Sequence, residues 1–192
     1  VTGVQTCALP ISHGRKGPVW LDIPLDVQNM RIEESEIKHF IPDEIETQVD
    51  STDVKAVADE LNLAERPVIL IGGGARRAAK EVSEIVKKIN VPIVCSPAAS
   101  DIYGTSHKLS IGTVGSIGGS RAGNFTIQNS DFVLSIGSKL CSQLTGVKDK
   151  FARNAKVVVV DIDKVEHTKN GVRIDRRIVC DASAFLSLLL QE

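Results

Sequence analysis

Short apolar runs alternate along the chain with stretches of helical spacing. Val68–Ile71, Pro92–Cys95, Phe132–Ile136 and Val157–Ile162 are runs rich in Val and Ile, interrupted only by Ser135 and Asp161. Runs of this length without polar alternation predict strands covered on both faces. Arg177–Cys180 predicts a last, shorter strand. Between the runs, Val54, Val57, Leu61 and Leu63 recur at helical spacing from Ser51 through Ala64. Ala79, Val82, Ile85 and Val86 do the same within Ala75–Ile89. Arg121–Asn129 predicts a short helix, and Ala182–Leu190 a terminal helix capped by Asp181. Near the start, Val19–Ile23 lies between the Gly17-Pro18 turn and Pro24, and predicts one more buried strand. Residues 27–50 are polar and acidic and read as a linker; residues 96–118 read as a long connection containing Gly and Ser. Alternating strands and helices define an α/β chain: a doubly wound, mostly parallel, Rossmann-like sheet with helices on both faces. Such sheets take ligands in the crevice at the carboxyl ends of their strands.

Composition narrows the function classes. The chain has 192 residues, 42% hydrophobic and 24% charged, with a net charge of −1. That suits one domain, or one domain with part of another. No basic stripe points to nucleic acid, and no apolar run is long enough to cross a bilayer as a helix. Neither nucleic acid nor membrane is therefore an expected partner. Cys7, Cys95, Cys141 and Cys180 form no CxxC pair and read as reduced thiols of a cytoplasmic protein. Residues 1–11, VTGVQTCALPI, lack the basic start of a signal peptide, and Gln5, Thr6 and Pro10 break the apolar stretch. The string resembles the in-frame translation of a common sequencing adapter. Residues 1–12 are accordingly expected to be an artefact, with natural sequence from residue 13; a genuine N-terminal extension is the alternative.

Candidate chemistry sits in the turns after the strands. Gly72, Gly73 and Gly74 lead from a strand into a helix, where bare backbone and helix-start amides favour a phosphate. The segment is neither GxGxxG nor a P-loop, and a tight crossover without a ligand fits equally well. GTVGSIGGSRAGN, residues 112–124, holds five glycines and reads as a flexible loop over a large flat ligand, or as a mobile surface loop. Gly137-Ser138 and Asp161-Ile162 also follow strands. A carboxylate placed there accepts hydrogen bonds from a ribose, or serves its own loop. His13, His39, His107 and His167 are scattered and read as surface or capping residues. No catalytic set and no metal-ligand set is apparent.

Five ordered segments carry a more specific signal: HGRKGPVWLDIPLDVQ, ERPVILIGGGARRA, RAGNFTIQNSDFVLSIGSKL, VVVVDIDKVE and VCDASAFLSLL. Together they resemble the thiamine-diphosphate-dependent enzymes of the acetolactate synthase type. The resemblance implies that residues 13–26 close a pyrimidine-binding domain, residues 27–50 link, and residues 51–192 form the central domain. It also implies a 2-oxoacid decarboxylase or carboligase as the parent protein, a homodimer or homotetramer. Thiamine diphosphate and Mg2+ would be held by pyrimidine- and diphosphate-binding domains, whose motifs this chain lacks, so the chain alone is expected to be inactive. In acetolactate synthases the central domain holds FAD. By motif, Arg15, Gly72, Gly73, Gly74, Ser96, Pro97, Gly137, Ser138, Asp161, Ile162, Asp181 and Ala182 would line it. Residues 137–146 read GSKLCSQLTG where that family reads GARFDDRVTG, and residues 116–119 read SIGG in place of GMHG. Three alternatives stay open: a domain that holds ADP or the nucleotide part of CoA, a spacer without ligand, and a stand-alone NAD-binding protein, the last disfavoured by the missing GxGxxG.

Overall fold

The computed structural model describes residues 17–37, 48–169 and 171–192. The chain divides into two units, residues 1–46 and 47–192. In the first, an extended stretch leads to a single helical turn, α1 (Leu25–Gln28), and a 3-10 turn at Glu34–Glu36. The strand expected at Val19–Ile23 does not form. A strand needs a neighbour's amides and carbonyls, and among the described residues none pairs with this run. Its side chains are consequently exposed, Trp20 at 91%. Arg15 and residues 1–12 lie outside the described residues.

The second unit starts with α2 (Ser51–Leu63), capped by Asp50, whose carboxylate accepts from the Thr52 amide at 2.8 Å. There follow β1 (Pro67–Ile71), a 3-10 stretch (Gly73–Ala78), α3 (Ala79–Ile89), β2 (Ile93–Cys95), α4 (Ser100–Tyr103), β3 (Ser110–Thr113) and α5 (Arg121–Asn129). The chain continues through β4 (Phe132–Ile136), α6 (Ser142–Thr145), β5 (Lys156–Asp161), β6 (Arg176–Val179) and α7 (Ala182–Leu189). The six strands form one parallel sheet in the order β3-β2-β1-β4-β5-β6. Chain order reverses between β1 and β4, so the switch point lies at the centre of the sheet.

The apolar runs feed two cores, because successive strand side chains point to opposite faces. Ile69, Ile71, Leu134, Ile136, Val158 and Val160 pack on one face with Val57, Val82 and Phe185 from α2, α3 and α7. Val68, Leu70, Val133, Val157 and Val159 pack on the other with Ile127, Leu144 and Phe151. Both faces are covered, so the central strands have no polar alternation.

Three expectations change. Leu63 is 84% exposed, because it falls at the end of α2 and off its buried stripe of Val54, Val57, Ala58 and Leu61. The expected helix Ala75–Ile89 becomes helical only at Ala79; before that the chain is 3-10, where its glycines pack against the turn after β4. The connection 96–118 contains α4 and an edge strand, β3, whose register slips between Ile93 and Val94.

Candidate functional site

The turns at the carboxyl ends of β2, β1, β4, β5 and β6 stand in a row, tied by backbone hydrogen bonds. The Ser96 amide donates to Ile71 O at 2.9 Å, the Gly72 amide to Ile136 O at 2.9 Å, and the Gly137 amide to Val160 O at 2.8 Å. At the far end the Cys180 amide donates to Asp161 O at 3.2 Å. The structure therefore brings Gly72–Gly74, Ser96, Pro97, Gly137, Ser138, Asp161, Ile162, Asp181 and Ala182 to one edge of the sheet.

At the switch point the two glycine turns interlock. A Cβ on Gly72 would stand 2.3 Å from Gly137 O, and one on Gly137 2.5 Å from the Ala75 nitrogen. Gly137 also has φ +58, where an L side chain is disfavoured. Gly74 donates its amide to Gly137 O at 2.9 Å. Gly72 and Gly74 are therefore required by the neighbouring turn, and their amides are committed to it. Gly73 differs: it is exposed, and an added Cβ would meet only Ala98, at 3.8 Å. Arg76 crosses the ledge to bind Asp101 and the Ala98 carbonyl, and its hydrogen bonds hold the Asp101 carboxyl below its ordinary pKa.

The acidic residues of the edge also have local duties. Asp161 accepts from the Asp163 amide at 2.9 Å. Asp181 caps α7, accepting from Ser183 at 2.9 Å and Ala184 at 3.3 Å. Behind it Cys180 is buried; burial, with Asp181 and Asp53, pushes its thiol up to about 12.

Hydrogen bonds tie the glycine-rich loop to its neighbours. The Asn124 side chain accepts from the Gly115 amide and donates to the Gly115 carbonyl, both at 2.9 Å. Ser116 donates its amide and hydroxyl to Gln143 O at 2.8 and 2.9 Å. A Cβ on Gly118 would lie 3.6 Å from Pro97, so the loop does cover the end of β2. Three of its five glycines, Gly115, Gly119 and Gly123, serve close backbone packing: a Cβ on Gly119 would fall 2.1 Å from Gly115 O.

One cleft, of about 320 Å³, opens beyond this row. It lies between the turn after β4 and the connection from β5 to β6, and its walls include Lys139, Leu140, Lys148, His167, Lys169 and Ile174. His167 is not a surface residue: its side chain is 6% exposed. Its Nε2 lies 3.7 Å from Asp161 Oδ2, beyond hydrogen-bond reach, and has no hydrogen-bond partner among the described residues. A buried polar group left so costs about 1–3 kcal/mol. Glu166, also in the wall, is 9% exposed and takes Lys169 Nζ at 2.9 Å and Lys139 Nζ at 3.8 Å on the same oxygen. Sequence reading missed this cluster; the only signal was three lysines in two segments that adjoin in space.

The parallel sheet, its central reversal and the glycine turns there place the chain among doubly wound α/β domains. Comparison with known proteins narrows the class. The family model for the central domain of thiamine pyrophosphate enzymes matches residues 54–189. A probable acetolactate synthase large subunit of Methanococcus aeolicus is 32% identical over 206 residues, covering 98% of this chain and 34% of that protein. Glyoxylate carboligase of Escherichia coli O157:H7 is 34% identical over 188 residues, covering 93% of this chain and 29% of that protein. Benzoylformate decarboxylase from Polynucleobacter necessarius shares the fold, with a TM-score of 0.70 at 21% identity over 92% of this chain and 33% of that one. The chain belongs to the thiamine pyrophosphate enzyme family and carries its central domain. It spans about a third of the length of the curated relatives it matches.

Proposed function

We propose that the chain is the central domain of a thiamine-diphosphate-dependent 2-oxoacid decarboxylase or carboligase, similar to acetolactate synthase, and that the domain holds a nucleotide along its strand ends. The observation that supports the class is the match of residues 54–189 to the central-domain family, together with relatives named as carboligating enzymes. The pyrimidine- and diphosphate-binding domains of the parent are the partners on this reading, in a homodimer or homotetramer. Among the described residues no group of three or more His, Cys, Asp or Glu side chains is placed to hold a metal ion. On this reading thiamine diphosphate and Mg2+ are held by those partner domains, and the chain alone is inactive.

For the nucleotide, FAD or ADP, the residues present fit in part. Neighbouring strands are about 4.8 Å apart, so the row from Ser96 to Asp181 runs about 20 Å, long enough for an extended dinucleotide. Gly73, exposed and without close neighbours, admits a ligand's approach. The Gly72, Gly74 and Gly137 amides are already bonded and donate nothing further.

The test is direct. Purified chain is titrated with FAD, ADP and CoA while its melting temperature and flavin absorbance are followed. Saturable stabilisation by FAD or ADP is expected. No response to any of the three leaves a spacer domain. Turnover of a 2-oxoacid by this chain with thiamine diphosphate and Mg2+ would refute the assignment of catalysis to other domains.

A further inference from the structure

We propose that His167 and Asp161 form a proton-operated latch, which draws the connection after β5 against the end of its own strand when the imidazole is charged. His167 lies in the 3-10 turn Glu166–Thr168 of that connection. Its buried Nε2 faces Asp161 Oδ2 across 3.7 Å, and the Asp161 side chain is itself only 12% exposed. Nothing among the described residues bonds that nitrogen. The gap carries the inference. A neutral imidazole has a single N–H. With that proton on Nδ1, the ring turns a lone pair toward the carboxylate, which holds the two apart. The imidazolium has an N–H at both positions. Closing the gap to about 2.7–2.9 Å then gives a charge-assisted hydrogen bond of ordinary length.

The segment between the two residues couples them. Asp161 Oδ1 accepts from the Asp163 amide at 2.9 Å, and Asp163 Oδ1 accepts from the Val165 and Glu166 amides at 2.9 and 3.1 Å. The Thr168 amide donates to Val165 O at 3.0 Å. The chain thus turns back through two carboxylates, and His167 returns to the strand end it left. Charged and titratable groups come to the ring from several elements. Asp161 ends β5, and Glu166 and Lys169 belong to the same connection. Lys139 and Cys141 come from the turn after β4, and Lys148 from the 3-10 turn after α6. Glu166 already takes Lys139 and Lys169 on one oxygen, whereas Asp161 presents Oδ2 to the ring. Histidine is the side chain whose charge ordinarily changes between about pH 5 and 8. The latch is closed at the acid end of that interval and released as pH rises, and it moves one wall of the adjoining cleft. It operates whatever the domain binds.

The experiment is amide hydrogen exchange of the full chain, followed by NMR at Asp163, Val165, Glu166 and Thr168. Rates are divided by those of an unstructured chain at the same pH, so that base catalysis of exchange cancels. Protection of these amides should be greater at about pH 5.5 than at about pH 8. The expected difference is about tenfold, the scale of one charge-assisted hydrogen bond. The His167 ring signals should shift over the same interval. His167→Gln and Asp161→Asn keep the approximate size of each side chain and remove its charge, so either should reduce the difference to about twofold or less. His107→Gln, beside β3 at the other edge of the sheet, should leave it unchanged. Protection of the Leu134 amide, in the central strand β4, reports that each variant is folded. Equal protection at both pH values in the unaltered chain overturns the proposal and makes His167 a space-filling core residue. A tenfold difference that persists in a folded His167→Gln or Asp161→Asn variant overturns it too. The unaltered chain alone decides the matter if neither variant folds.

Discussion

The interlock of the two glycine turns can be tested one contribution at a time. Gly73→Ala adds a methyl group whose closest neighbour is Ala98 at 3.8 Å, so its effect on stability should stay within about 0.5 kcal/mol. Gly72 has φ −110, which any residue adopts, but its Cβ would fall 2.3 Å from Gly137 O and 2.5 Å from Ser138 Cα. Gly72→Ala therefore isolates the steric part, about 1–3 kcal/mol for overpacking against backbone. Gly137 faces the same crowding and also has φ +58. Gly137→Ala adds about 1–2 kcal/mol for the left-handed conformation, and about 2–5 kcal/mol in all. Against a typical total of 5–15 kcal/mol, that is a large share. Urea unfolding is the assay. With a slope of about 2 kcal/mol per molar, the midpoint should fall by about 1 M for Gly72→Ala and further for Gly137→Ala. A midpoint for Gly72→Ala equal to that of Gly73→Ala would refute the steric argument. A midpoint for Gly137→Ala no lower than that of Gly72→Ala would refute the conformational one.

Other predictions follow from the core, a cap and a thiol. Leu134, at the centre of β4, is 0% exposed, so Leu134→Ala should cost about 2–5 kcal/mol in the same unfolding assay; a loss under about 1 kcal/mol would mean the core collapses around the gap. The Thr52 hydroxyl and amide hold the Asp50 carboxyl below its ordinary pKa. A depressed carboxyl contributes stability above the unfolded value and loses it as pH falls through the folded one. The first turn of α2 should therefore fray only below the ordinary carboxylate range; an Asp50 carbon titration by NMR with its midpoint at or above that range would contradict this. With its thiol pushed up to about 12, Cys180 should resist alkylation at about pH 8 until the chain is unfolded. Mass spectrometry showing Cys180 modified in the native chain at the unfolded rate would rule that out.

Sequence pattern reads elements whose fate depends on their own composition. Phe132–Ile136 places Phe132, Val133 and Leu134 in succession because both faces of β4 are covered, and that double burial is written into the run itself. Elements whose fate depends on neighbours are illegible. Val19–Ile23 has the composition of a strand but lacks a partner among the described residues, and stays extended and exposed. Ser110–Thr113 has Gly112 at φ +130 and half-buried side chains, so it reads as loop, yet β2 recruits it as an edge. The same division governs the site. Glycines and acids at strand ends were visible as residue types. Which of their atoms remain available was not, because that is settled by contacts spanning 60 or more positions, such as the Gly74 amide to Gly137. These contacts commit the Gly72 and Gly74 amides to a neighbouring turn, whereas the Asp181 carboxylate is taken up locally, by the first turn of α7. Lys139 and Lys169 are likewise drawn onto Glu166, a pairing between two segments that the sequence does not announce.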